Sequence, residues 1–104
     1  MSLPRAIEGA RHTGMVVTWT QEDGSEQDLT GATITGEIVD KDGNSTAITG
    51  TLVATSPASG IFNWAYSAAD VGTVGRFLVQ FKADYGGSLY DLTFPEVWDV
   101  EPAL

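Results

Sequence analysis

The side chains able to act on a substrate or hold an ion are few and scattered. His12 is the only histidine, in a polar stretch close to Gly14. No nucleophile-elbow pattern accompanies it, so it reads as an exposed loop histidine. The chain has no cysteine, which removes disulfides and thiolate chemistry alike. Asp40-Lys41-Asp42-Gly43-Asn44 resembles a calcium loop, but that pattern needs Gly at its sixth position and Glu at its twelfth. Counted from Asp40, Gly43 is fourth and the twelfth residue is Thr51. The segment reads as a hairpin turn. Glu22, Asp23, Glu26 and Asp28 cluster near another turn and read as a solvated acidic loop, with weak cation binding as the alternative. Carboxylate pairs of the glycosidase kind need a substrate groove, and these acids mostly lie in turns. Asn44-Ser45-Thr46 matches a glycosylation acceptor, a pattern common by chance. Trp19, Trp64 and Trp98 could stack on a sugar, but all three fall on the inward parity of their strands, which assigns them to the core. The sequence therefore assigns no catalytic, cofactor-binding or metal-ligating residue.

Charge narrows the partners. Fourteen acidic residues face five basic ones, a formal charge of -9. Nucleic acid and anionic membrane surfaces both need clustered Lys and Arg. Here Arg5, Arg11, Lys41, Arg76 and Lys82 are scattered. No apolar run approaches the ~20 residues that span a bilayer. Met1-Ser2-Leu3 lacks the basic start and apolar stretch of a signal peptide. Residues 1–3 read as in part an added start, and residues 1–104 as one domain, long enough to bury a core without staples.

The elements follow from period-two alternation broken by glycine turns. Met15, Val17 and Trp19 alternate with polar or smaller residues, then Asp23-Gly24 turns the chain. Ala32, Ile34, Gly36 and Ile38 form a second row, ending at Asp42-Gly43. A strand is expected over 46–55, a loop over 56–60, and a strand carrying Phe62, Trp64 and Tyr66. Ser67-Ala68-Ala69-Asp70 suits one helical turn, with Ser67 as cap and Asp70 three residues on. A strand over 75–84 places Phe77, Val79 and Phe81 on one face. The last strand, 89–101, carries Tyr90, Leu92, Phe94, Trp98 and Val100 on one parity, with a bulge or edge near Pro95. With a short strand near Arg5 to Gly9, the pattern gives an all-β, immunoglobulin-like β-sandwich of about seven antiparallel strands.

The same parity defines a core and its opposite. Val17, Trp19, Ile34, Ile38, Leu52, Phe62, Trp64, Phe77, Val79, Phe81 and Leu92 are expected inside. Val39, Val53, Ile61 and Leu78 are then apolar residues facing out, candidates for a protein interface if contiguous.

Several segments in order resemble a known family. Trp19-Thr20-Gln21-Glu22-Asp23-Gly24 leads into Asp28-Leu29-Thr30-Gly31-Ala32-Thr33. Gly60-Ile61-Phe62 follows, then Ser67-Ala68-Ala69-Asp70 before Gly75-Arg76-Phe77, and Thr93-Phe94-Pro95. Over about residues 14 to 100 the chain resembles the immunoglobulin-like N-terminal domain of bacteriophage upper baseplate proteins and similar prophage tail-associated proteins. The resemblance implies a structural module of a virion tail or baseplate, made in the bacterial cytoplasm. Its partners would be other tail or baseplate proteins or further copies of itself. No catalytic residue comes with it. Unlike antibody domains, the chain has Phe77 where a tyrosine corner would carry its hydroxyl, and no cysteine pair. The competing readings are a carbohydrate-binding or adhesin-like surface module and an enzyme using exposed carboxylates. Exposed aromatic rows would favour sugar, and exposed aliphatic patches would favour assembly.

Overall fold

A computed structural model describes residues 3–10, 14–21, 23–93 and 95–103. His12, Glu22 and Phe94 lie outside the described residues. Two sheets pack face to face. The larger has the order β1-β9-β7-β3-β4, with β8 also on β7; the smaller has the order β2-β6-β5. The strands are β1 (Ala6–Ile7), β2 (Met15–Thr18), β3 (Thr33–Val39), β4 (Ser45–Ala47), β5 (Thr51–Ser56), β6 (Ile61–Ala65), β7 (Gly75–Gly86), β8 (Leu89–Leu92) and β9 (Glu96–Glu101).

The sandwich is the expected class, resolved into nine described strands with one parallel pair, since β1 runs parallel to β9. The two added strands come from splits. The run over 46–55 divides into β4, on the larger sheet, and β5, on the smaller. The cause sits at Gly50, where a Cβ would strike the Ala65 carbonyl oxygen and lie 2.5 Å from Asp70 Oδ2. Here the chain crosses between sheets against other backbone, and only glycine fits.

The run over 89–101 divides around Pro95. Both halves lie on the same side of β7: β9 pairs with 75–79 and β8 with 82–86. Between Val79↔Glu96 and Lys82↔Leu92, two residues of β7 oppose three of the partner, a one-residue bulge. Thr93 repairs the ladder. Its N–H donates to the Phe81 carbonyl at 3.0 Å, and its Oγ1 accepts from the Phe81 N–H at 3.0 Å.

That bulge reverses parity, because one inserted residue moves every later side chain to the other face. Trp98 pairs with Phe77, on the core face, whereas Leu92 pairs with Lys82, on the outer face. Leu92 is consequently 51% exposed. Its placement in the core from sequence is corrected for this reason.

The rest of the core follows the alternation. Val17, Trp19, Ile34, Phe62, Trp64, Val79 and Phe81 are buried, and Ile38, Leu52 and Phe77 pack half-buried against them. Phe62 and Phe81 meet edge to face at 5.0 Å across the two sheets, and Trp64 stacks at a tilt on Trp98 at 4.6 Å. Leu3, at the end of the stretch read as in part an added start, is 6% exposed, and its N–H donates to the Val97 carbonyl.

The expected helical turn at 67–70 is a turn without a helix. Its capping bonds nevertheless form: the Asp70 N–H donates to Ser67 Oγ and the Ser67 N–H to Asp70 Oδ2, each at 3.1 Å. The helical turn among the described residues is a 3-10 turn at Pro57–Ser59, inside the expected loop.

Candidate interaction surfaces

The four outward apolar residues fall on two opposite faces. Val39 and Leu78 are direct cross-strand neighbours on the outer face of the larger sheet, and Leu78 in turn faces Val97 on β9. Val39-Leu78-Val97 is therefore a continuous apolar row across three strands. Val97, which extends it, is not singled out by the sequence, since the neighbour of Leu78 depends on strand order. Val53 and Ile61 lie on the outer face of the smaller sheet. Val53 faces Asn63, which faces Val16, and Ile61 faces Thr18 and Ser56. The two pairs are separated by the thickness of the sandwich and form no single patch.

The acidic loops are ordered by their own carboxylates. Asp40 Oδ1 accepts from the N–H groups of Asp42 and Asn44, each at 2.9 Å, and closes the hairpin turn expected there. Asp28 Oδ1 accepts from the Thr30 N–H, and Asp23 Oδ1 from the N–H and hydroxyl of Ser25. These bonds favour the charged carboxylate. The Asn44 N–H holds Asp40 below the usual carboxylate range, Thr30 does so for Asp28, and the Ser25 hydroxyl and N–H do so for Asp23. Among the described residues, no group of three or more His, Cys, Asp or Glu side chains converges on a point suited to a metal ion. A carbon-detected titration should find the midpoints of Asp23, Asp28 and Asp40 below about 3.9, the usual value for aspartate. Midpoints at or above that value would contradict these turn geometries.

The tryptophans offer no stacking platform. Trp64 and Trp98 are fully buried and Trp19 is 5% exposed.

The open side of the sandwich carries a groove of about 410 Å³ between β2 and the β8–β9 side. Val17 and Thr18 line one wall, Asp91, Leu92 and Thr93 the other, with Trp19 and Phe81 also reaching it. Gln27 bridges this region, donating from Nε2 to Asp91 Oδ2 at 2.9 Å and to the Tyr85 hydroxyl at 3.1 Å. Tyr85 in turn donates to the Asp28 carbonyl at 2.6 Å. Sequence reading missed this tie, because its ends are 57 residues apart.

The fold has a solved counterpart. It is shared with the N-terminal domain of phage TP901-1 ORF48, with a TM-score of 0.61 over 96% of this chain and 85% of that one. Sequence identity is 14%, so the likeness is one of architecture. No family model matches the chain. No curated protein matches it either.

Proposed function

We propose that this chain is a non-enzymatic structural module of a bacteriophage or prophage tail or baseplate, acting through protein–protein contacts. The observation that carries the reading is the fold shared with a phage domain over 96% of the chain. Fold alone does not give function, so the surface has to agree with it. It does so in kind. Among the described residues, the exposed large apolar side chains are mostly aliphatic: Ile7, Val16, Val53, Val74, Leu78, Leu89 and Leu92, with Tyr90 the one aromatic. Aliphatic rows on strand faces suit burial against another protein. A sugar site would need aromatic faces in the open, and the tryptophans are enclosed. In this reading the protein is made in the bacterial cytoplasm and resides in the virion, at the tail.

Deleting the gene from the phage or prophage that carries it and viewing the particles by electron microscopy tests the proposal. Tails lacking part of the distal structure, restored by the gene in trans, are expected. Tails of unchanged morphology and infectivity would overturn it.

A further inference from the structure

The apolar exposure is concentrated on one edge strand. Leu89, Tyr90 and Leu92 are 69%, 54% and 51% exposed, so three of the four residues of β8 are large, apolar and in the open. Overhang causes this. β8 pairs with β7 beyond the point where β9 ends, and all four of its residues lie exposed.

Among the described residues, no strand pairs with the outer edge of β8. Antiparallel ladders alternate, so successive residues point their N–H and C=O groups to opposite sides. The Thr93 N–H donates to Phe81 on β7. By alternation Asp91 also faces β7, and Tyr90 and Leu92 direct their N–H and C=O groups away from it. Such an edge is a template for another strand.

Charge selects the occupant. Asp91 lies on β8 and lines the groove. Asp84 faces Tyr90 across the ladder, and Asp28 is tied to Tyr85 at the same end. Glu26 pairs with Thr20, which lines the groove, and Asp23 sits in the turn between them. Of the described cations, Lys82 alone is near, over the Tyr90 ring at 4.5 Å. Arg76 and Arg5 pair with Asp99 and Glu101 at the other end of the sheet, and Lys41 lies in the far turn. Pairing β8 with β8 of a second copy would bring two acidic ends together in molecules each carrying -9.

We infer that the open edge of β8 docks an extended, basic strand of a partner protein. The strand pairs with the outward backbone groups of Tyr90 and Leu92. Its alternate apolar side chains cover the exposed apolar residues of β8, and its Lys or Arg residues face Asp91 and the acidic end. This deepens the assembly reading and rests on it, since it names which surface makes the contact and with what.

The probe is a short labelled peptide alternating Lys with Val, titrated into the intact chain at low salt and followed by anisotropy. Binding is expected, weakening as salt rises, and the same peptide with Glu for Lys should not bind. In the unsubstituted chain the Tyr90 and Leu92 amides should gain protection from hydrogen exchange. Tyr90→Pro removes an outward N–H and no bond to β7, and should weaken binding about tenfold or more. Absence of binding, protection confined to β2 or β5, or equal binding by folded Tyr90→Pro or by the Glu peptide would each overturn the inference. Any of these results would leave the tail-module reading standing, because that reading is scored on particles.

Discussion

Asp70→Ala should lower the unfolding free energy by about 3–5 kcal/mol, because it leaves several buried N–H donors without an acceptor, each at a cost of about 1–3 kcal/mol. Asp70 is 6% exposed and accepts from four N–H groups in separate parts of the fold. Its Oδ2 takes the Trp64 indole N–H at 2.9 Å, the Gly50 N–H at 3.0 Å and the Ser67 N–H at 3.1 Å. Its Oδ1 takes the Thr49 N–H at 3.1 Å. The β4–β5 crossover and the β6–β7 connection are thereby pinned to the central tryptophan. Alanine leaves the buried Trp64 donor and the backbone donors unpaired together, which costs far more than the bonds contribute net. Domains of this kind are stable by roughly 5–15 kcal/mol, so the loss approaches unfolding. Asp70→Asn keeps one acceptor oxygen and should fall between. Urea denaturation measures all three proteins. A loss below about 1 kcal/mol for Asp70→Ala would contradict the network's role.

Phe81→Ala should cost about 3–5 kcal/mol, the usual range for a large core truncation. Phe81 is 1% exposed and meets Phe62 and Trp64 edge to face at 5.0 and 5.9 Å. It lies on β7, which is flanked by β3 on one side and by β8 and β9 on the other, and it joins the two sheets. Phe77, four residues earlier on the same face, is half-buried at the end of the core, 6.0 Å from Trp98. Phe77→Ala should therefore cost clearly less, since it leaves a smaller enclosed cavity. The same denaturation experiment decides. Equal losses at the two positions would contradict the burial gradient along β7.

The parity of β3, β6 and β7 was legible because each strand has one face on the core, so a one-residue error would expose Ile34, Phe62 or Phe81. Leu92 was not, because parity cannot be carried across a bulge whose length is unknown. Pro95 marked the place but not the one-residue shift. Gly50 carried a readable sign of the β4–β5 split, since glycine inside a strand pattern points to close backbone approach. Leu29 and Val71 are essentially fully buried yet sit in connections, where no period marks them. The local half of the Asp70 site was visible as Ser67 with an acid three residues on. Its bonds to Trp64, Thr49 and Gly50 required the crossover, which no spacing encodes. The interaction surfaces were legible only as outward residues. Strand order decided that Val39 joins Leu78, that Val53 and Ile61 face the other way, and that β8 is an edge.

Quantitative mass spectrometry of purified phage particles tests the central claim most directly. Peptides of this chain should be recovered from the particles in a fixed ratio to the tail proteins, and the ratio should survive repeated purification. A chain abundant in the cell extract but absent from the particles would contradict its assignment as a structural module of the tail.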